Sequence, residues 1–222
     1  TELRKIMEDQ MFLDCFGCDI DYSLGKNFAD FADQFSKDSR YRTELYKLRR
    51  KFMSHADGLI HADLHTSNIM ASRDKMKVID MEFAFMGPFG YDLGYLVGNL
   101  ISQYCAACFK RFPSEQSRKQ FKAYLLATIK LLIETYMKTF TLCWEKSVKE
   151  RYRGQQGLLQ SILQEVMEDV PGYASMVNWF RSVSEIPYPD FDIIEDKDAK
   201  RNATVLSLMI DWGIMFGRYK YQ

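Results

Sequence analysis

Residues 59–83, LIHADLHTSNIMASRDKMKVIDMEF, combine short β-prone runs with several oxygen-bearing side chains. Residues 59–61 and 68–71 are β-prone, and residues 76–79 alternate between apolar and polar side chains as a half-buried strand does. The polar residues 73–75 are typical of a tight turn. The stretch therefore predicts a strand, a loop and then a β-hairpin.

Four side chains in this segment carry oxygen ligands: Asp63, Asn68, Asp80 and Glu82. Because the two strands of a hairpin pair across their turn, we expect residues 68 and 80 to lie side by side. Two interpretations fit this arrangement. It is either the solvated surface of a hairpin or a site that binds metal-associated phosphate.

The rest of the chain is predicted to be mostly helical, because apolar residues recur at helical spacing between breaker residues. Asp92 is expected to cap one helix, Pro171 to end another, and residues 84–90 and 186–196 to form loops. The fold class is therefore α+β, mostly α, with a helical body and one small β insertion. The predicted helices are Asp38–Met53, Asp92–Lys110, Glu115–Lys149, Gln155–Val170, Tyr173–Ser184 and Asp198–Tyr219.

The charge balance argues against nucleic acid or a membrane as partner. The chain has 30 basic and 30 acidic residues, so its formal net charge is zero. The longest apolar run, residues 123–137, contains Lys130 and Glu134 and is too short and too charged to cross a bilayer. No signal peptide is visible among the first thirty residues. We expect a cytoplasmic protein.

Five cysteines include two C-x-x-C pairs, Cys15–Cys18 and Cys105–Cys108. If the two pairs met in space, they would form a zinc site. Cys105 and Cys108 fall in an apolar run that is typical of a buried helix, where a free cysteine packs as a small hydrophobic residue. Packing is the favoured interpretation, and free thiols suit a reducing compartment.

Residues 61–68 have the form H-x-D-L-x-x-x-N, which phosphotransferases use as a catalytic loop. Phosphoryl transfer requires an oriented acceptor hydroxyl and neutralisation of the developing charge. Asp63 is the candidate general base. Asn68, Asp80 and Glu82 offer the hard oxygen ligands that Mg²⁺ prefers. His61, at the strand end, is expected to support the loop.

Residues 61–95 resemble the kinase-like small-molecule phosphotransferases, the group that contains the aminoglycoside and choline kinases. The similarity is greatest to the methylthioribose kinases. HADLHTSNIM resembles that family's HGDLHTGSIM, and VIDMEFAFMGPFGYDLG resembles its VIDPEFAFYGPMGFDIG. The D-x-E form at Asp80 and Glu82 also distinguishes the chain from protein kinases, which have D-F-G.

The resemblance implies that residues 1–222 form a protein-kinase-like C-terminal lobe. It also implies ATP and Mg²⁺ as cofactors, a small hydroxylated metabolite of methionine salvage as substrate, and a homodimer. No G-x-G-x-x-G motif occurs, and no β-rich segment precedes residue 59. We therefore expect the ATP-binding lobe to lie outside this chain, which by itself should have little activity.

Some positions depart from the family pattern. Asn68 stands where methylthioribose kinases commonly have Ser, and Ala62 replaces a Gly. Those kinases carry adjacent arginines on a late helix that contact the sugar. The late segment here offers Lys200–Arg201 and a single Arg218. Arg201 is our candidate for that contact, and His65, inside the loop, is a second candidate substrate contact. Asp92 is expected to brace the loop in addition to capping its helix.

Two alternatives stay open at this point. The first is a kinase of another small molecule. Residues 190–196, DFDIIED, would supply carboxylates to a site for a polycationic aminoglycoside. The second alternative is that the chain is a catalytically silent kinase-like binding module. The joint presence of Asp63, Asn68 and Asp80 argues against that second alternative.

Overall fold

The structure, a computed structural model, describes residues 2–13, 26–183 and 188–221. Its body is built from helices, as predicted. Their bounds are α1 Glu2–Glu8, α2 Lys26–Ser36, α3 Ser39–Ser54, α4 Gly90–Ala107, α5 Glu115–Ser147, α6 Gln156–Val183, α7 Pro189–Asp192 and α8 Lys197–Gly217. A π-helical turn, Asp9–Leu13, extends α1, and 3₁₀ turns lie at Thr66–Asn68, Glu150–Tyr152 and Arg218–Tyr221.

Four short strands form two antiparallel pairs between α3 and α4. They are β1 Gly58–Ile60, β2 Ile69–Ala71, β3 Met76–Val78 and β4 Phe85–Gly87. The predicted hairpin is β2–β3, with Ile69 opposite Val78. The prediction of a loop over residues 84–90 is wrong in part, because β4 pairs with β1. This second pair closes the segment into a unit whose two ends meet.

The core lies where α4, α6 and α8 pack together, with α3 against one side. Residues 172–183 of α6 are all buried, so this half of the helix is enclosed around its circumference. Trp179, Tyr41, Tyr91 and Tyr173 are among the largest side chains that are fully buried. The mostly helical α+β prediction is confirmed.

Pro171 lies inside α6, and the prediction that it ends a helix there is wrong. Proline removes one intrahelical hydrogen bond and normally kinks or breaks a helix. Here Val170, Tyr173 and Ala174, on either side of it, are buried against neighbouring helices. Tertiary packing therefore outweighs the local preference.

A row of glycines brings α4 into direct backbone contact with α6. A Cβ added at Gly94 would lie 2.9 Å from the Val170 carbonyl oxygen. A Cβ added at Gly98 would lie 2.5 Å from the Ala174 carbonyl oxygen. Because side chains are absent at these positions, the two helices approach more closely than ridges of larger side chains would permit.

No helix in the described ranges is both long enough and apolar enough to cross a membrane.

We predict that Gly98→Ala destabilises the protein by about 3 kcal/mol, at the upper end of the usual cost of overpacking. The reason is that the added methyl group meets a backbone carbonyl, which cannot rotate away. Chemical denaturation of the purified protein measures this change. Gly213→Ala on α8 is the matched control, because its Cβ would meet nothing within 4 Å. This control should gain roughly 0.5–1 kcal/mol; equal effects at the two positions would contradict the packing argument.

Candidate active site

The loop that carries Asp63 runs from β1 to β2 and is closed by its own backbone. The His65 N–H donates to the Asp63 carbonyl oxygen at 3.0 Å, and the Asn68 N–H donates to the His65 carbonyl oxygen at 3.0 Å. The 3₁₀ turn Thr66–Asn68 then leads directly into β2. The loop therefore has a compact shape that places residues 63 and 68 on neighbouring turns.

Two residues of this site have left-handed backbone conformations. Ala62 has φ 70° and Asp80 has φ 65°, and no other non-glycine residue in the described part of the chain has a positive φ. L-residues other than Gly seldom adopt this conformation, and it costs free energy that the surrounding contacts must offset.

Polar side chains along α4 hold the loop in place. The members of this polar row of α4 are Asp92, Tyr95, Asn99 and Gln103, which share one face of the helix at spacings of three and four residues. Each of them bonds to the loop. Asp92 bonds to residues 61 and 62, and Tyr95 bonds to residue 63. Asn99 and Gln103 both bond to residue 66.

Asp92 makes the shortest of these bonds. Its Oδ2 accepts the His61 N–H at 2.6 Å, and its Oδ1 accepts the Ala62 N–H at 2.9 Å. Burial raises the pKa of Asp92, although the two N–H groups act to lower it. The expected capping role is wrong, because α4 begins at Gly90 and has Phe89 at its N-cap position. The carboxylate supports the loop instead.

His61, predicted to support the loop, lies between the loop and the end of β3. Its Nε2 is 2.8 Å from the Ile79 carbonyl oxygen, and its Nδ1 accepts the Asp63 N–H at 3.3 Å. The imidazole is buried. It therefore ties the backbone of the candidate base to the residue that immediately precedes Asp80.

Asp63, the candidate base, is half-buried and surrounded by hydrogen-bonding groups. His65 Nε2 lies 3.4 Å from its Oδ2, and the Tyr95 hydroxyl is hydrogen-bonded to the same carboxylate. Burial acts to raise the pKa of Asp63, but the bonds from His65 and Tyr95 outweigh it, and the pKa is below its ordinary value. Asp63 is therefore ionised at neutral pH, as a base must be.

Tyr95 is a site residue that the sequence analysis did not identify. Its side chain is 4% exposed, and burial raises its pKa well above the ordinary value, so the hydroxyl keeps its proton as a donor. A tyrosine in an apolar helix is usually a core residue. Asp92, Asn99 and Gln103 recur at helical spacing on one face of α4. This polar spacing is the sequence signal that indicates the face on which Tyr95 lies.

The candidate metal ligands differ in exposure. Asn68 is buried, and its Nδ2 donates to the Asp63 carbonyl oxygen at 3.0 Å. Its Oδ1 accepts no hydrogen bond from the residues that the structure describes, so it is available to a ligand. The Asn68 carbonyl oxygen accepts the Ile79 N–H at 3.0 Å, which brings Asp80 alongside. Asp80 and Glu82 are both exposed.

The described residues contain no group of three or more His, Cys, Asp and Glu side chains that could hold a metal ion, and this includes the surroundings of Asp80 and Glu82. Cys105 is buried on α4, and burial strongly raises the pKa of its thiol, so it packs as a core residue. Cys15 and Cys18 lie outside the described residues.

A cavity of about 160 Å³ opens beside Asp63 and His65. Its apolar wall comes from four parts of the chain, namely the N-terminal helical segment, the turn after β3, the end of α6 and the residue before α7. Those residues are Met7, Met11, Phe83, Phe180 and Tyr188. Gln10, Tyr95 and Arg181 add polar groups. The site is therefore a small pocket with one carboxylate and one guanidinium among apolar walls.

Arg181 is held against this pocket by a buried ion pair. Its Nε and Nη2 lie 2.7 and 2.6 Å from Asp190 Oδ2, and both side chains are less than a tenth exposed. Asn99 Nδ2 donates to the same oxygen at 3.3 Å. Arg201, the predicted sugar contact, is elsewhere: it pairs with Asp198 on the surface of α8 and does not line the cavity.

Comparison with known proteins gives one family and a consistent set of relatives. Residues 21–130 match the phosphotransferase enzyme family. Methylthioribose kinase from Geobacillus sp. (strain WCH70) is 32% identical over 217 residues, which cover 98% of this chain and 52% of the relative. The enzyme of that name from Geobacillus thermodenitrificans is 36% identical over 210 residues, with coverages of 91% and 50%.

A more distant methylthioribose kinase, from Exiguobacterium sibiricum, is 29% identical over 199 residues. It covers 90% of this chain, and the chain covers 49% of it. The chain thus spans about half the length of the curated relatives it matches. The predicted resemblance is confirmed by these matches.

We predict that Asp92→Asn loosens the loop of residues 61–68. An amide has one acceptor oxygen, so the N–H of His61 or of Ala62 would face an NH₂ group and stay unsatisfied while buried. This change should cost about 1–3 kcal/mol of folding free energy. Denaturant titration measures it, with Asp198→Asn as the control because Asp198 is exposed and forms its ion pair with Arg201 on the surface of α8. Equal stability of the two variants would remove the bracing role of Asp92.

Proposed function

We propose, because residues 21–130 match the phosphotransferase enzyme family, that this chain forms the acceptor-binding part of an ATP-dependent small-molecule kinase. The acceptor that we propose first is 5-methylthioribose. One observation carries the proposal: the ionised carboxylate of Asp63 lies at a small pocket, and the Asn68 amide donates to the Asp63 carbonyl oxygen. A hydroxyl group in that pocket would meet a base.

Asp63 acts as the general base in this proposal. Its carboxylate is oriented by Tyr95 and His65, and its backbone by His61 and Asn68. A carboxylate with a lowered pKa accepts a proton weakly, which suits phosphoryl transfer because positioning contributes more than proton abstraction. Asp63 would therefore mainly aim the acceptor hydroxyl at the phosphorus and take its proton late.

Asn68, Asp80 and Glu82 are the residues that would hold Mg²⁺. Their donor atoms are hard oxygens, and the Oδ1 of Asn68, which accepts no hydrogen bond from any described residue, fits a role as ligand. When bound, the ion would neutralise charge on the phosphates of ATP. The chain's own contribution is to fix Asn68 through its bond to Asp63 and to fix Asp80 through the β2–β3 pairing.

The pocket has the chemistry of a small sugar that carries an apolar group. Arg181 presents N–H donors to hydroxyl groups, and methionine and phenylalanine side chains form the apolar wall. Methionine side chains adapt well to apolar groups of irregular shape. The names of the matched relatives point to methylthioribose, and its methylthio group suits this wall.

An aminoglycoside fits less well, because the acidic segment 190–196 offers few free carboxylates to a polycation. Arg181 does not decide against choline, since Asp190 pairs with it. Asp190 pairs with Arg181, Asp192 pairs with Lys200, and Asp196 caps α8 through the Ala199 N–H. The alternative from another functional class is a catalytically silent binding module. A measurement of turnover decides between this module and the kinase.

We also propose a cytoplasmic location, which the free thiols of Cys105 and Cys143 support. The homodimer stays a prediction, as does a C-terminal lobe that needs a separate ATP-binding lobe for activity.

We predict that Asp63→Ala lowers kcat by about 10³-fold, within the range for loss of general base catalysis. The assay is ADP formation by the natural full-length protein with 5-methylthioribose and with a panel of other hydroxylated metabolites. Asp74→Ala, in the exposed turn between β2 and β3, is the matched control and should keep full activity. If Asp63→Ala kept wild-type turnover, the base assignment would be wrong. If the wild type consumed no ATP with any acceptor, the kinase proposal would fail.

We predict that Asp80→Ala weakens binding of Mg²⁺–ATP at least tenfold, about 1.4 kcal/mol, because a hard ligand for the ion is lost. Isothermal titration calorimetry of the full-length protein measures the affinity. ATP in the presence of EDTA is the control, and its affinity should be the same for the wild type and the variant. Equal Mg²⁺–ATP affinity of Asp80→Ala and wild type would contradict the metal assignment.

A further inference from the structure

We infer that Asn99 is a positioning residue that connects the acceptor pocket to the catalytic loop, through the chain of contacts Thr66–Asn99–Asp190–Arg181. The inference rests on the proposed function for its effect on turnover. The connection itself is a matter of geometry. Through these contacts, the residues that fix the wall of the acceptor pocket also influence the positions of Asp63 and Asn68.

Asn99 lies between the loop and α7 and uses both ends of its amide. Its Oδ1 accepts the Thr66 N–H at 2.9 Å, and its Nδ2 donates to Asp190 Oδ2 at 3.3 Å. The residue is fully buried. If the amide turned over, an NH₂ group would face the Thr66 N–H, and an oxygen would face the Asp190 carboxylate. The amide therefore has one favourable orientation.

On the loop side, Thr66 is the first residue of the turn that ends at Asn68. The Thr66 carbonyl oxygen accepts the Ile69 N–H, which closes the turn. Gln103 Nε2 also donates to Thr66 Oγ1 at 3.1 Å. Because Asn68 Nδ2 in turn bonds to the Asp63 carbonyl oxygen, the position of Thr66 influences both the candidate ligand and the candidate base.

On the pocket side, Asp190 fixes Arg181 with two short contacts. The Arg181 guanidinium also lies 4.4 Å from the ring centre of Tyr188, another wall residue. A buried ion pair tolerates little displacement, because each charge needs its partner in good geometry. A shift of Arg181 on acceptor binding would therefore be passed to Asp190 and then to Asn99.

A purely structural role is the competing explanation, and the chain contains a control for it. Asn178 on α6 is also a fully buried asparagine in a hydrogen-bond network. It accepts from Ser102 Oγ and donates to Asp211 Oδ1, both at 2.7 Å. Within the described residues, no hydrogen bond joins Ser102 or Asp211 to the loop, and neither residue lines the pocket. Asn178→Ala should therefore reproduce the loss of a buried amide without the loss of positioning.

The first experiment needs no activity. Hydrogen–deuterium exchange is measured on peptides that cover the loop, residues 61–68, in the wild type, Asn99→Ala and Asn178→Ala. We expect Asn99→Ala to speed exchange in the loop at least tenfold, and Asn178→Ala to leave the loop unchanged while it affects α6. Equal loop protection in Asn99→Ala and the wild type would overturn the inference, whatever reaction the protein catalyses.

The second experiment measures turnover by the full-length protein. Asn99→Ala should lower kcat at least tenfold, while the KM for ATP changes less than twofold; Asn178→Ala should keep kcat within twofold of wild type. Asn99→Asp preserves the acceptor for Thr66 but repels Asp190, so it should give an intermediate kcat. The effects of Asn99→Ala and Arg181→Ala on kcat/KM should be less than additive, because they break one chain of contacts.

Strict additivity of these two changes, or the same kcat for Asn99→Ala and Asn178→Ala, would overturn the inference while the proposed function stands. A wild type without turnover would overturn the proposed function and the catalytic part of the inference, and the exchange experiment would still decide the contacts.

Discussion

The buried carboxylate of Asp92 accepts the backbone N–H groups of His61 and Ala62, and the rest of the site depends on this pair of bonds. They stabilise the left-handed conformation of Ala62, which turns the chain so that Asp63 faces the pocket. A carboxylate can accept both N–H groups at once, and no neutral side chain of that size has two acceptor oxygens. The strain at Ala62 is therefore offset by charge-assisted bonds within a buried environment.

Helix α4 makes this possible because its faces carry different residues. Its glycine face, with Gly94 and Gly98, lies against the backbone of α6, so the helix has little freedom to shift. The polar row of α4 lies on another face and bonds to the loop from residue 61 to residue 66. A helix fixed by close packing is a good template for a loop, because hydrogen-bond geometry tolerates only small displacements.

Much of the fold was predictable from local pattern. Residues 68–79 form the expected hairpin, and α3, α5 and α8 lie close to their predicted bounds, because amphipathic spacing and turn residues determine such elements. The continuity of α6 through Pro171 and the pairing of β4 with β1 were not predictable. Both result from contacts with distant parts of the chain, which outweigh the local preference of proline and of a glycine-rich segment.

The sequence by itself determined the candidate chemistry, because Asp63, Asn68 and Asp80 lie within one short segment whose spacing is that of a known loop. Only the tertiary structure decided what surrounds this chemistry. Asp190 pairs with Arg181 of α6 and meets Asn99 of α4, and Met7 and Met11 reach the pocket from the N-terminal segment. Contacts of this kind join residues far apart in the chain. Their burial and orientation follow from how whole helices pack, which no local pattern of residues specifies.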